Sequence, residues 1–340
     1  MNSNPVSVNY VSEGSEGHRV DYDRVLIGEM QALNIHLDRM EKARHAVDSS
    51  RPFLYAMVDS HVIAFLVNAI VRSLMRRPTV GLLFRPGECF LETSLKYRIK
   101  RILFQAASRL PHVSILTLMP FAVFPRFAEV ATEWIYDPQL WDLLYLGFSE
   151  DKALPMLREL ISSKARGRRV LMALGEQHQA KGFDYLVDLW CSSAEVREDF
   201  LFVAAGTIHP QSAQKSDLFV QQGGLLLNRR ISDQELMCMY RCADIIWCCY
   251  SPDYNQASGI LGRAIQFGVP VTVRRNSYLE KLGALLLHPT LALPFERMDI
   301  SAKEILAWKP VARDATERIS LLNEMRTYST SVLVRTLAAN

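Results

Sequence analysis

The stretch Tyr250-Ser-Pro-Asp-Tyr-Asn-Gln-Ala-Ser-Gly-Ile-Leu-Gly-Arg-Ala264, followed by Gly268-Val-Pro-Val271, decides how this chain is read. The apolar run Ile245 to Tyr250 before it has the length and composition of a buried strand. That strand enters a polar loop, and Ser258-Gly259 then opens a helix. The first-turn amides of Gly259, Ile260 and Leu261 have no carbonyl partner within their own helix. Together with the helix dipole they predict an anion site, and Gly259 lets a ligand come close. Gly268 and Pro270 end the helix, and Val269 to Val273 begins the next strand.

Two upstream segments have the same strand-to-loop form. Val170 to Leu174 reads as a strand that ends in Leu174-Gly-Glu-Gln-His-Gln-Ala-Lys-Gly182, before a helix over Phe183 to Trp190. Lys181 is a cation at a helix mouth, suited to a phosphate or, equally, to solvent. Phe200 to Ala204 reads as a strand ending in small residues at Ala205-Gly206, fit for close approach of a ligand or for a tight turn. Gly224 to Leu227 is a further strand, and Ser232-Asp-Gln-Glu235 is a capping box opening a helix through about Arg241. In open α/β sheets ligands sit at the carboxyl ends of strands, so these three loops belong to one candidate site.

The first half repeats the alternation. Val6 to Val11, Phe53 to Val58, Thr79 to Phe84 and Ser114 to Leu118 read as strands. Helices are expected around Val25, Leu26, Met30 and Leu33, and between about Ser60 and Arg77, within which Val62 to Val71 reads as buried. Mixed charge from about Gly147 to Arg169 marks the connection between two α/β domains.

The order LGxxxxxKG, VAAG, ADIIWCCYSP, SGILxRAxxxGVPV resembles the C-terminal domain of GT-B glycosyltransferases of the retaining glycosyltransferase 4 type, over about residues 170 to 285. A final helix at about Ser320 to Leu337 fits the same family. The resemblance implies two Rossmann-like domains facing across a cleft: 1–150 with a returning helix at about 320–340 on the acceptor side, and 165–318 on the nucleotide-sugar side. It implies a donor diphosphate on Lys181 and on the amides of Ser258, Gly259, Ile260 and Leu261, with Gly175, Glu176 and Gly206 lining the pocket. The acceptor would be a glycan or a lipid-linked glycan, in surface polysaccharide synthesis. The chemistry would be glycosyl transfer through an oxocarbenium-like transition state, with no cofactor and no metal required.

This chain departs from the family at three positions. Where the family often has Gly-Arg, it has Gly175-Glu176; where the family often has two glutamates, it has Asn255 and Arg263. Arg263 stands one turn after Gly259, so it is expected to take over the missing cation's role, held by Glu176. Arginine cannot accept a ribose hydrogen bond, so nucleotide binding must differ here. These departures keep two alternatives open: a non-catalytic GT-B-like binding partner, and a sugar-nucleotide epimerase of related architecture.

In the first half, Arg85 and Glu88 follow the strand ending at Phe84, and His18 follows Gly17 in the loop after the first strand. Arg85 fits a sugar phosphate, and Glu88 and His18 fit acceptor-side roles; each also fits a plain polar turn. Ser94 to Arg109 carries Lys96, Arg98, Lys100, Arg101 and Arg109, no acidic residue, and an apolar stripe of Leu95, Ile99, Ile102, Leu103 and Ala106. Such a helix either lies on an anionic membrane surface or packs its stripe on its own sheet.

Composition agrees with this frame. Over 340 residues, 49% hydrophobic and 22% charged, the chain is an ordinary globular mixture of two-domain size. A net charge of +3 excludes bulk attraction to nucleic acid. No apolar run is long enough to span a bilayer, and MNSNPVSV lacks the form of a signal peptide. Six cysteines without CxxC spacing read as reduced, buried residues, pointing to the cytoplasm, peripheral at the inner membrane face if the basic helix binds lipid. The dinucleotide, P-loop, zincin and α/β-hydrolase motifs are missing.

Overall fold

The computed structural model describes residues 6–12, 18–40, 50–91, 94–146, 153–311 and 313–338, and only the backbone of His18, Arg19 and Ala153. Residues 13–17, and with them Gly17, lie outside the described residues. The chain divides into two compact units, Met1–Leu146 with Leu322–Asn340, and Gly147–Leu321.

The first unit runs β1 (Val6–Val11), α1 (His18–Ala32), β2 (Ile35–Met40), β3 (Phe53–Tyr55), α2 (Val62–Leu74), β4 (Thr79–Leu83), α3 (Leu95–Ala107), β5 (Val113–Thr117) and β6 (Glu133–Trp134). Its six strands pair in the order β2-β1-β3-β4-β5-β6, all parallel. Alternation along the strands feeds two cores. Val8, Tyr10, Leu54, Val80 and Leu82 pack with Leu26 and Met30 of α1. Phe53, Tyr55 and Ile115 pack with Phe65 of α2 and Phe104 of α3 on the other face.

The second unit runs α4 (Ala153–Ala165), β7 (Arg169–Leu174), α5 (Phe183–Ser192), α6 (Ala194–Asp199), β8 (Phe200–Ala205), α7 (Ala213–Gln221), β9 (Leu225–Leu227), α8 (Asp233–Cys242), β10 (Ile245–Cys248), α9 (Gly259–Phe267), β11 (Val271–Arg274), α10 (Tyr278–Leu285), β12 (Thr290–Leu293) and α11 (Met298–Ala307). Its six strands, again all parallel, lie in the order β12-β11-β10-β7-β8-β9. A last helix, α12 (Ala315–Ala338), starts in this unit; from Leu322 onward it belongs to the first, where Val332, Leu333 and Leu337 join the α1 core.

Three sequence expectations change. Leu33 is exposed, because α1 ends at Ala32. The helix read as buried, α2, buries only one side: Phe65, Asn68, Ala69, Arg72 and Ser73 face inward, while Ile63, Val67, Ile70 and Leu74 face solvent. On α3 the apolar stripe does not pack on the sheet either. Leu95, Ile99, Ile102 and Leu103 are exposed, and Phe104 and Lys100 point inward instead. A buried lysine can be inward because carboxylates meet it: Lys100 Nζ lies 2.8 Å from Asp59 Oδ1 and 2.8 Å from Glu88 Oε2.

Candidate functional site

In the second unit the strand order reverses between β7 and β10, the place where ligands bind in doubly wound sheets. The carboxyl ends of β7, β8 and β10 meet there. Glycine makes this meeting possible. Gly206 has φ +137°, and a Cβ on it would stand 1.9 Å from the Gly175 carbonyl oxygen. Gly182 has φ +72°, and a Cβ on it would stand 2.0 Å from the Cys249 carbonyl oxygen. Neither backbone oxygen can step aside, so only glycine fits at either position. The Gln177 side-chain amide ties the turn, donating to the Gly175 carbonyl at 2.8 Å, and Ser251 N donates to the Ala180 carbonyl at 3.0 Å.

Lys181 is aimed into this turn. A methyl group placed on Gly175 would lie 3.3 Å from Lys181 Nζ and 3.9 Å from Ile260 Cδ1, so the ammonium, the open face of Gly175 and the start of α9 surround one small space. Among the described residues nothing hydrogen-bonds this ammonium or pairs with it within ion-pair distance. Burial holds Lys181 below the ordinary lysine pKa, against the opposite pull of Glu176 and Cys248. A cation that is costly to keep charged, with no close partner, is what an incoming anion repays.

The helix start supplies two open amides. Ser258 caps α9, and its Oγ accepts from Leu261 N at 3.3 Å while Tyr250 Oη stands 2.9 Å away. The Leu261 amide, expected to be free, is therefore already engaged by the cap; those of Gly259 and Ile260 point out of the first turn with no helix partner. Tyr250 and Ser258 form a pair that the sequence reading did not anticipate, because eight residues separate them along the chain.

The positions where this chain departs from the family take other places. Asn255 Oδ1 accepts from Tyr278 N at 2.8 Å, so it fastens the start of α10. Glu176 is exposed, whereas Arg263 is 3% exposed on α9; the two form no ion pair, so Glu176 does not hold Arg263. Burial likewise excludes a solvated surface role for Arg263. Beside the turn, His178 lies near His209 and Tyr254, with ring centroids 6.4 and 6.1 Å away, and burial lowers its pKa. A separate cavity of about 470 Å³, lined by Asp184, Asp188, Asp253 and Glu296 among others, has the wrong sign for a phosphate.

In the first unit, Glu88 is bound to Lys100 and lies 3.6 Å from the exposed Arg85 guanidinium, so its carboxylate is neutralised within the fold. His18 opens α1, and its side chain is outside the described part. The sequence reading passed over Asp23. It is buried at the reversal point of this sheet, beside β1, and accepts from Tyr10 Oη at 2.6 Å and Ser12 Oγ at 2.7 Å, with Arg39 Nη2 at 3.3 Å. Ser12, Asp23, His61 and Phe84 line a cavity there of about 20 Å³. The one sequence signal was the strand-end Ser12 followed by the acidic first turns of a helix. Among the described residues, no group of three His, Cys, Asp or Glu side chains is placed to hold a metal ion.

Two all-parallel sheets, each with a reversal point and joined by a shared terminal helix, define the GT-B fold. The chain has that fold, and solved structures agree along its whole length. WaaG, a glycosyltransferase involved in lipopolysaccharide biosynthesis, aligns over 98% of this chain and 99% of its own, at 15% identity and a TM-score of 0.54. Anabaena HepE in complex with UDP aligns over 98% and 100%, at 12% identity and a TM-score of 0.66. The UDP-forming trehalose-phosphate synthase of Burkholderia vietnamiensis aligns over 100% of both chains, at 12% identity and a TM-score of 0.59. No protein-family model matches the sequence, and no curated protein matches it significantly.

Proposed function

We propose that this protein is a glycosyltransferase that moves a sugar from a nucleotide diphosphate donor to a glycan or lipid-linked acceptor, with retention, in the synthesis of a surface polysaccharide. The observation that carries the reading is the turn of the second unit, where the unpaired Lys181 ammonium and the Ile260 side chain flank the open face of Gly175, at the start of a helix whose Gly259 and Ile260 amides have no helix partner. A diphosphate there replaces the water that Lys181 loses on burial. As the glycosidic bond breaks, negative charge grows on the leaving phosphate, and donors already fixed by the fold stabilise it without reorganising. Arg263, one turn along α9, is the second cation of this reading, and Arg85 and His18 are its first-unit candidates. The reading needs no metal or cofactor. It sets the protein in the cytoplasm, at the membrane where the acceptor is lipid-linked.

UDP is the first nucleotide to test, since it is bound in HepE. The unmodified protein should gain thermal stability with UDP or another nucleoside diphosphate. Lys181→Ala should weaken that binding by about tenfold to a hundredfold, the worth of one charge-assisted hydrogen bond. Arg263→Ala should lower kcat about a hundredfold with little change in UDP affinity. Equal UDP affinity in Lys181→Ala overturns the site. The engagement of Asn255 in fastening α10 favours a second reading, a binding protein without turnover. Bound donor that is neither transferred nor hydrolysed would establish that alternative; a donor converted to another sugar nucleotide without any acceptor would establish an epimerase.

A further inference from the structure

The two helices on one face of the first sheet leave their outer sides uncovered, and those sides are apolar. On α2, Ile63 is 78% exposed and Leu74 82%, with Val67 and Ile70 between them at helical spacing. On α3, Leu95 is 69% and Ile102 63% exposed, with Ile99 and Leu103 beside them. The helices are neighbours: Phe65 of α2 and Phe104 of α3 meet beneath them with ring centroids 6.4 Å apart. Two parallel stripes of this kind form a contiguous patch, which water-soluble surfaces rarely tolerate without a partner.

Charge around the patch selects the partner. Arg76, just past α2, and Lys96 and Arg98 of α3 are exposed, and neither helix carries an acidic residue. The nearby carboxylates are spent inside the fold: Asp59 and Glu88 on Lys100, and Glu129 on Arg101 and Arg126. We infer that α2 and α3 together form a membrane-docking face, with the two apolar stripes entering the headgroup boundary of a bilayer and Arg76, Lys96 and Arg98 meeting anionic lipid. Amphipathic helices that carry leucine and isoleucine on one side and basic residues beside it lie in this way at interfaces. A second copy of the chain fits less well, because face-to-face pairing would oppose like charges. The sequence pointed to α3 alone and counted Lys100 and Arg101 toward the lipid; the structure buries Lys100 against Asp59 and Glu88, pairs Arg101 with Glu129 at a partly exposed site, and adds α2 instead. The inference shares with the proposed function the expectation of a membrane-borne acceptor but not its evidence, so either can fail alone.

The test is sedimentation of the unmodified full chain with vesicles of phosphatidylcholine containing phosphatidylglycerol, and with phosphatidylcholine alone. Binding to the anionic vesicles is expected, falling as salt rises. The combined change Ile63→Asn, Leu74→Asn and Leu95→Asn should abolish it while UDP binding and melting temperature stay unchanged, since all three side chains already face water. Lys96→Gln with Arg98→Gln should weaken binding about fivefold per charge, and stands as the test if the asparagine variant does not fold. Failure of the unmodified protein to bind anionic vesicles, or undiminished binding by either variant, overturns the inference. A dimer in vesicle-free solution that the asparagine variant dissociates, without vesicle binding, assigns the face to a second copy. Retained UDP binding in a vesicle-blind protein removes the membrane face and leaves the donor site standing.

Discussion

Each unit has a six-stranded parallel sheet, with different strand orders, and the two treat charge at their strand ends in opposite ways. In the first, the buried group is the carboxylate of Asp23, satisfied by Tyr10, Ser12 and Arg39, and the nearby lysine, Lys100, is held between Asp59 and Glu88. Burial works against the charge of Lys100, yet its two carboxylates keep its pKa above the ordinary value. In the second, the half-buried lysine has no such partner, and burial carries its pKa down. One lysine is structural and complete; the other is left incomplete by the fold. A strand end whose lysine is given no counter-ion is suited to receive an anion.

The sharpest way to break the second reversal point is through its backbone. Gly206→Ala should cost at least about 5 kcal/mol in chemical denaturation, because the new methyl meets a carbonyl that the sheet holds in place. Gly81 in β4 of the first unit should respond less, since its added Cβ would meet the side chains of Val58 and Phe65 rather than backbone. Next comes the contrast between the lysines. Lys100→Met should lose about 4 kcal/mol by stranding Asp59 and Glu88. Lys181→Met should melt at the same or a higher temperature while losing nucleotide affinity. Equal losses in the two variants would mean that Lys181 is structural after all.

Acid gives a third contrast. His288, between α10 and β12, is buried with its Nε2 3.0 Å from the Val269 carbonyl oxygen, and burial pushes its pKa down to about 4, helped by Arg318 and Arg313. Its folded pKa is below the unfolded value, so the stability it gives is whole above pH 6.5 and is lost as the pH falls toward 4. About 3 kcal/mol should disappear across that window in the second unit, and His288→Gln should flatten the curve. The smallest effect is expected at the helix cap: Ser258→Ala should cost about 1 kcal/mol in urea unfolding, with a matching loss of UDP affinity if α9 frays.

How much of this was legible in the sequence depended on distance along the chain. The site turn was readable because Gly175, Lys181, Gly206 and Ser258 each belong to a local strand–loop–helix pattern. The capping box at Ser232 and Glu235 formed as its spacing predicts. What escaped reading was set by tertiary partners. Strand β2, Ile35–Met40, follows α1 through a turn at Asn34 with φ 58° and has charged residues in it, so its pattern is hidden. The inward turn of Lys100 depends on Asp59, 41 residues away. The outward turn of α2 could not be read from its composition, because an apolar helix with one covered side and one with two look alike until the neighbours are known. Arg263 illustrates the same limit: its place in the chain put it one turn from the helix start of α9, and only the fold shows that it is buried and forms no ion pair with Glu176.

The terminal helix also sets an order of events during synthesis. The second unit is one continuous stretch and can complete its sheet as soon as Gly147–Leu321 has emerged from the ribosome. The first unit cannot: although its strands are made first, the core of α1 stays open until Val332, Leu333 and Leu337 arrive. The part translated earliest is therefore sealed last, and through most of its own synthesis the chain carries an unfinished hydrophobic face that a holding chaperone would recognise.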